Sequence, residues 1–465
     1  MIRFLNVYYP TRTVALLLCE ACIVSGCFLA ATWIMLGDQA TFVLQLNYGA
    51  LKIAIITIVS LILSYYFDLY EPTIVSGRLQ IYFRILLVLG FDCFILAAFL
   101  LFDPDVAIGP PDVAIGSNVY VLGFGLLAPA LILMRRTYEW VISWKVFRER
   151  IYVLGAGDYA RSIVDTIRSR PDLGMEIVGW EDVQLEPSER KKHWIEALDN
   201  IGKANPPVHR IVVAMEARRG ELPVQELLML RFQGIEVEED GTLRERLYGK
   251  IQLDGLRPSS FLYGEGFRIR TSQQLTRQVV SICVSALGLL IFLPFFPFVA
   301  LAVKLSSKGP IFFRQTRVGL GGRNFDVIKF RTMFTDAEAG GAKWATKNDP
   351  RVTKVGTFLR KTRIDEIPQL WNVLRGDMGF VGPRPERPEF VAWLNEELPF
   401  YYLRTLIRPG LTGWAQVRYQ YGATLAETKE KLEYDLYYIK HMSLGLDLLI
   451  MFETIKTILR RRGAQ

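Results

Sequence analysis

With 465 residues, 51% of them hydrophobic, and a mean hydropathy of +0.22, the chain is too apolar for an ordinary soluble enzyme and long enough for two or three domains. Net charge is +8, and the only histidines are His193, His209 and His441, which argues against a histidine-built metal site or a Ser-His-Asp triad. Cys19, Cys22, Cys27, Cys93 and Cys283 all fall in apolar segments, read as small buried hydrophobes and imply no cofactor; no nucleic-acid partner is expected.

Four apolar segments open the chain, roughly Val14 to Leu36, Ala50 to Leu69, Ile81 to Phe102 and Val119 to Met134, each near the length of a bilayer crossing. They predict a transmembrane four-helix bundle over 1–145. Arg3 and Arg12, then Arg78 and Arg84, then Arg135, Arg136, Lys145, Arg148 and Arg150 flank one side, while Asp38, Asp103, Asp105 and Asp112 lie in the other connections without Lys or Arg. The positive-inside rule puts the N-terminus and everything after Arg135 in the cytoplasm. No small-residue cleavage site suggests a signal peptide. The repeated PDVAIG at 104–109 and 111–116 reads as a loop duplication without chemical meaning.

From Arg150, RIYVLGAGDYARSIVDTIRSR reads as a strand, a turn at Gly155 and Gly157, and a helix beginning near Asp158. With Ala160 this makes G-x-G-x-x-A, and EIVGWED (176–182) and RIVVAME (210–216) look like further strands, with a helix from Pro223 to Phe232. A small Rossmann-like α/β domain over 146–265 is expected. The glycines serve tight strand-to-helix packing as readily as a nucleotide, and Glu181 and Asp182 fall a little late for a ribose-binding acid. A regulatory or assembly role is the default reading.

Val279 to Val303 is long enough to span the bilayer, yet Arg268, Arg270 and Arg277 precede it while Lys304, Lys308, Arg314 and Arg317 follow. Pro294 and Pro297 interrupt its middle. A re-entrant helix over 279–303, broken at Pro294 and returning to the cytoplasmic face, satisfies both observations, provided protein or polar partners cover the broken backbone. LPFYYLRTLIRPG and YDLYYIKHMSLGLDLLIMFETIKTILRRR mix aromatic, aliphatic and basic residues as interfacial helices do, although either could be a core helix.

The stretch 359–385, LRKTRIDEIPQLWNVLRGDMGFVGPRP, sets Asp365 and Glu366 among Arg360, Lys361, Arg363, Arg375 and Arg384. A carboxylate can attack phosphorus only where cations or a metal offset its repulsion from phosphate oxygens. Because Pro368 is tolerated only at a helix start, Asp365 is expected at or near the N-cap of a helix through Gln369 to Leu374, where the dipole favours anions. The bland alternative is a capping Asp beside a solvated Glu.

Taken together, FRQTRVGLGGRNFDVIKFRTM (313–333), the 359–385 stretch, RPGLTGWAQV (408–417) and YDLYYIK (434–440) resemble the bacterial monotopic phosphoglycosyl transferases. The likeness is closest to their large polyprenyl-phosphate hexose-1-phosphate transferase branch, whose catalytic core corresponds to 266–465. The resemblance implies a membrane protein with a mainly α catalytic core, transferring hexose-1-phosphate from a UDP-hexose to undecaprenyl phosphate at the cytoplasmic face of the bacterial inner membrane, with UMP released. It implies Asp365 as the nucleophile of a phosphosugar-aspartyl intermediate, Glu366 as its dyad partner, and Mg²⁺ at the pair. Lys329, Arg331, Arg360, Arg384, Arg418 and Asp435 form the expected phosphate and substrate set. Glucose is the first guess for the sugar, membrane lipids are expected partners, and the oligomeric state is left open with a homodimer as one expectation.

Two departures stand out. Many members continue WAQV with Asn-Gly-Arg, whereas this chain reads Arg418, Tyr419, Gln420, Tyr421, so the family arginine falls on Gln420 and its contact is lost or passes to Arg418. Leu293 precedes Pro294 where some members carry serine. Two other readings are a membrane-anchored nucleotide-sugar dehydratase, which lacks the Tyr-x-x-x-Lys pair it needs after the Gly-rich turn, and a non-catalytic scaffold of a polysaccharide assembly complex.

Overall fold

Five helices of the computed structural model are long and apolar enough to cross a membrane, among described residues that comprise 2–4, 7–70, 78–102, 108, 113–144, 148–170, 173–180, 187–202, 207–215, 222–254, 256, 258–263, 266–268, 270–335, 349–419 and 424–460. The chain divides into two compact units, residues 1–2 with 9–240 and residues 3–8 with 241–465.

Two short strands, β1 (Ile2–Phe4) and β2 (Val7–Tyr9), precede α1 (Thr11–Leu36), α2 (Ala40–Leu46), α3 (Gly49–Tyr66), α4 (Arg78–Phe102) and α5 (Val113–Ser143). Helix α1 packs on α3 and α5, and α4 packs on the same two. Val24, Phe28, Ala31, Ile53, Val88, Leu127 and Leu131 fill their shared core. Gly123 is needed there, since a Cβ would meet the Phe28 ring at 2.6 Å. Polar groups inside so apolar a setting require partners. Arg135 pairs with Glu20 at 2.8 Å, Ser64 donates to Glu20 at 2.5 Å, and Ser60 donates to Asp92 at 2.8 Å. Arg135 therefore corrects its reading as a flanking cation, because it is buried against Glu20.

The cysteines are a second correction. All five are free, but Cys19, Cys22, Cys93 and Cys283 are exposed on the outer faces of their helices and only Cys27 is partly covered. Asp103, Asp105, Asp112 and most of the PDVAIG duplication lie outside the described residues.

Beyond α5 the chain alternates β3 (Glu149–Leu154), α6 (Gly157–Ser169), β4 (Met175–Gly179), α7 (Pro187–Gly202), β5 (Arg210–Val213), α8 (Val224–Phe232) and β6 (Glu236–Glu239). The four strands form one parallel sheet in the order β4-β3-β5-β6. Ile151, Tyr152, Val153 and Leu154 are all buried, as a parallel strand covered on both faces requires. Gly155 has φ +154°, a Cβ there would stand 2.0 Å from the Ala214 carbonyl oxygen, and its own carbonyl accepts from Trp180 Nε1 at 3.1 Å. That glycine serves close packing between neighbouring strands. Glu181 and Asp182 lie outside the described residues.

In the second unit α9 (Asp240–Tyr248) and α10 (Pro258–Tyr263) lead to α11 (Thr271–Phe292), a 3-10 turn at Leu293–Phe295, and α12 (Phe296–Ser306). Pro294 lies in the turn and Pro297 in the first turn of α12, where a missing N–H costs little, so one 3-10 turn interrupts the α-helical run at the prolines while the apolar span continues from Thr271 to Ser306. Only 6% of the most apolar stretch of this segment is buried within the protein, which leaves its side chains facing outward.

The hairpin of β7 (Phe312–Val318) and β8 (Asn324–Phe330) follows, then α13 (Lys354–Lys361), α14 (Gln369–Arg375), β9 (Gly379–Val381), α15 (Pro388–Glu397), β10 (Gly410–Thr412), α16 (Trp414–Arg418), α17 (Leu425–His441) and α18 (Leu444–Leu459). Phe292 and Phe296, on either side of the helix break, pack on Phe330 with ring centroids 6.2 and 5.8 Å away. Helix α17 corrects the interfacial reading of YDLYYIK: Leu436, Tyr437 and Tyr438 are fully buried. Helix α18 keeps Leu448, Ile455 and Leu459 exposed on its other face.

Candidate active site

Strand alternation builds the first wall of the site. Because successive side chains of β8 point to opposite faces, Phe330 enters the aromatic cluster under the helix break while Lys329 faces the other way and reaches Glu366 Oε1 at 3.0 Å. Asn372, fully buried in α14, holds that wall to the acidic turn. Its Oδ1 accepts from the Ile328 N–H at 3.1 Å and its Nδ2 donates to the Asp326 carbonyl at 2.8 Å.

The acidic pair itself sits in a 3-10 turn, Ile364–Glu366, entered through Arg363 in left-handed backbone with φ +58°. Pro368, not Asp365, occupies the position flanking α14, so the expected N-cap role of Asp365 is corrected by one short turn. Glu366 receives Arg384 Nη2 at 2.7 Å on the same oxygen as Lys329, with Arg363 Nη1 3.7 Å from its other oxygen. Burial pushes its carboxyl up, but Arg384, Lys329 and Arg363 together hold it well below the usual carboxylate range.

Asp365 differs in kind. Burial, reinforced by the adjacent Glu366 charge, raises its pKa to about 6 despite Lys329, Arg360 and Arg363 nearby. Its Oδ1 is buried and has no hydrogen-bond partner. Two neighbouring carboxylates are thus pushed apart, one permanently charged and neutralised by cations, the other held close to its titration point and open to a new partner.

Arg384 is carried by the loop after β9. Gly382 permits the close approach: its N–H donates to Thr412 O at 2.9 Å, and a Cβ on it would lie 2.5 Å from the Arg408 carbonyl oxygen. Gly410 N–H then bonds Pro383 O at 2.9 Å. Arg404 fixes the same loop from behind, donating from Nη2 to Arg384 O at 3.0 Å and from Nε to Asp435 Oδ2 at 2.8 Å. Arg277 of α11 pairs with Asp447 at 2.5 Å and bonds Tyr438, whose hydroxyl donates to Asp447 at 2.7 Å. This ties the broken helix to α17 and α18.

The expected residues therefore separate. Asp365, Glu366, Lys329 and Arg384 come together. Arg360 stands beside them, its Nε on Thr332 Oγ1 at 2.9 Å. Asp435 is one residue removed, reaching the Arg384 loop through Arg404. Arg331 is buried and donates to the carbonyls of Val303 and Ser307 at 3.3 and 2.7 Å, at the end of α12. Arg418 is exposed and stacks on Trp414, 4.4 Å from the ring centroid. Lys361 is exposed, and Arg375 lies 3.6 Å from Asp377, outside the cluster. Gln420 and Tyr421 lie outside the described residues. Sequence reasoning missed Arg404, Asn372 and Arg277; a basic residue inside the aromatic run LPFYYLRTL was the one signal for Arg404.

Among the described residues no group of three or more His, Cys, Asp or Glu gathers as a metal site. The buried, unpartnered Asp365 oxygen is a donor of the kind magnesium takes, so this residue fits the ion expected from the sequence. Glu366, engaged by three cations, is the weaker donor of the two.

The family model of the bacterial sugar transferases matches residues 272–461. The chain is 34% identical over 365 residues to a UDP-N-acetylgalactosamine-undecaprenyl-phosphate N-acetylgalactosaminephosphotransferase of Aeromonas hydrophila, covering 74% of this chain and 79% of the relative. It is 35% identical over 352 residues to a UDP-glucose:undecaprenyl-phosphate glucose-1-phosphate transferase of Escherichia coli (strain K12), covering 73% and 74%. It is 32% identical over 324 residues to an undecaprenyl-phosphate glucose phosphotransferase of Komagataeibacter xylinus, covering 68% and 60%. The chain belongs to the bacterial sugar transferase family and is a membrane-associated phosphoglycosyl transferase.

Proposed function

We propose that this enzyme transfers hexose-1-phosphate, with glucose the first candidate, from a UDP-sugar to undecaprenyl phosphate at the cytoplasmic face of the inner membrane. The observation that carries the reading is the contrast at the dyad: Asp365 is covered, raised to about 6 and has an oxygen without a partner, while Glu366 anchors three cations. One oxygen of Asp365 attacks the β-phosphorus, the bond from that phosphorus to the bridging oxygen breaks, and UMP leaves with the electron pair. An oxygen of the lipid phosphate then attacks the same phosphorus and the Asp365 carboxylate is released. Lys329, Arg360 and Arg384 offset charge on the transferring group, Glu366 holds Lys329 and Arg384 in place, and Asp435 supports Arg384 through Arg404. Arg331, which holds the end of α12 through Nη2, and Arg418, which stacks on Trp414, stay in the expected substrate set. Magnesium, held by Asp365 with Glu366 nearby, would supply Lewis-acid stabilisation of the diphosphate.

The remaining architecture fits this task. Residues 1–145 anchor the chain as four transmembrane helices, 146–265 form a Rossmann-like domain with a regulatory or assembly role, and 266–465 are the catalytic domain. Its re-entrant helix, broken at Pro294, keeps the dyad level with lipid headgroups. The choice between glucose and N-acetylgalactosamine, the sugars in the relatives' names, is open to a panel of UDP-sugars supplied to membranes, with the lipid product identified. The test of the mechanism is UMP release by Asp365→Asn in membranes together with trapping of labelled sugar phosphate on the wild-type protein. Near-normal turnover of the variant would reject the nucleophile assignment.

A further inference from the structure

Gln369 has been given no role so far, yet it shares the unusual state of Asp365. Its side-chain Nε2 is buried and has no hydrogen-bond partner, and the residue is only 4% exposed. Backbone from Ile364 through Ile367 and Pro368 into α14 stays right-handed, with main-chain bonds from Ile367 to Ile364 and from Leu370 to Ile367 at 3.2 and 3.0 Å, so Asp365 and Gln369 lie about one tight turn apart along the chain. A covered donor and a covered acceptor this close in the chain each call for a partner, because an unmatched buried polar group costs stability. Here each is left unmatched.

Water can serve either group; among ligand groups, the chemistry that satisfies both at once is narrow. A cation satisfies the carboxylate oxygen and repels the amide hydrogens. A second carboxylate satisfies the amide and repels Asp365. A phosphoryl group offers both faces: phosphorus is electrophilic toward the carboxylate, and its nonbridging oxygens accept from N–H. Gln369 is also neutral, so it adds a donor without drawing Glu366 away from Lys329 and Arg384.

We infer that Gln369 is a catalytic residue whose amide donates to a nonbridging oxygen of the phosphoryl group as it transfers to and from Asp365. The inference deepens the proposed function and rests on attack by Asp365. In that step charge builds on the equatorial oxygens of phosphorus while the Asp365 oxygen bonds and the UMP oxygen departs, so a fixed donor acts most strongly where the reaction is hardest.

The test is Gln369→Met, which keeps shape and removes the donor, in the full-length protein in membranes. UMP release in the first turnover is measured with UDP-glucose and with its two β-phosphorothioate diastereomers, in which sulfur replaces one nonbridging oxygen. Expected are unchanged or slightly raised thermal stability, a fall in first-turnover rate of about 10²-fold, as for loss of one oxyanion donor, and loss of the wild-type preference between the two diastereomers. Should Gln369→Met fail to fold, Gln369→Asn, which withdraws the amide by one methylene, is expected to show the same kinetic losses. A variant that keeps the wild-type rate, or is slowed while keeping the wild-type diastereomer preference, overturns the inference. Asp365→Asn run in parallel separates the two levels: if it is inactive and Gln369→Met is normal, only the Gln369 assignment falls, whereas an active Asp365→Asn removes the reading beneath it.

Discussion

Arg404 holds the main-chain carbonyl of Arg384 at 3.0 Å, so the residue that steadies the catalytic loop touches its backbone and leaves the Arg384 guanidinium free to reach Glu366. Asp435 and Tyr401, at 2.8 and 2.5 Å, complete the grip on Arg404. The prediction is that Arg404→Lys, which keeps the charge but loses the fork, folds normally and releases UMP about tenfold more slowly, a barrier increase of about 1.4 kcal/mol. Arg404→Ala leaves Asp435 buried without its cation and is expected to lose about 3–5 kcal/mol of stability. Thermal unfolding and initial-rate assays check the pair, and equal rates in wild type and Arg404→Lys would remove the positioning role.

A pH profile follows from Asp365. Its pKa of about 6 belongs to a carboxyl raised by burial and by Glu366, and in the proposed mechanism the attacking form is the ionised one. Catalytic efficiency at limiting UDP-sugar should be flat above pH 7 and fall about tenfold per unit well below pH 6. Glu366→Gln removes the neighbouring negative charge, so any residual activity should show its acid limb at lower pH. An unshifted limb in that variant would assign the titration to another group.

The same burial gives a stability prediction of opposite sign to the usual carboxylate case. A folded-state pKa raised above 3.8 means that the ionised Asp365 destabilises the fold. That penalty is fully present above about pH 6 and is relieved as pH falls toward 4. Asp365→Asn should therefore be inactive yet more stable by roughly 1–3 kcal/mol at pH 7.5, and the gain should shrink at pH 4.5. Denaturation midpoints at both values decide it; a variant less stable than wild type at pH 7.5 contradicts the assignment.

Pro294 lies within the 3-10 turn between α11 and α12, and Pro297 in the first turn of α12. In a background with the native cysteines replaced by serine, Lys308→Cys should react with a membrane-impermeant maleimide only after cells are permeabilised, as re-entry demands. Replacing both prolines by alanine restores two backbone donors and lets α11 continue into α12. It should expose a fraction of Lys308→Cys to the outside and lower activity at least about tenfold. Labelling of intact cells without the proline changes would exclude re-entry.

Much of this was legible in the order of residues because local rules and tertiary structure agree there. The apolar segments, the βαβ alternation from Arg150 and the proline break follow from periodicity and from backbone chemistry that a single proline dictates. The clustering of Lys329, Glu366 and Arg384 came from recognisable motifs. What escaped was held by contacts distant along the chain. Asn372 looks like any helical asparagine until it is seen bonding to β8, and YDLYYIK reads as interfacial until Tyr437 and Tyr438 prove enclosed by protein. Arg135 shows the same limit: a cation in a promising flank can be taken up by one acidic side chain.

Phe330 and Lys329 are consecutive in β8, yet one belongs to the aromatic cluster beneath the helix break and the other to the acidic dyad. The pleat of a single strand therefore places greasy anchor and reactive centre on opposite faces and fixes which residue serves each. Inserting or deleting one residue in that hairpin would swap the two faces, sending the ammonium group into the rings and a phenyl toward the phosphate. Sugar choice can vary elsewhere in such an enzyme, while the reading frame of this strand must stay constant.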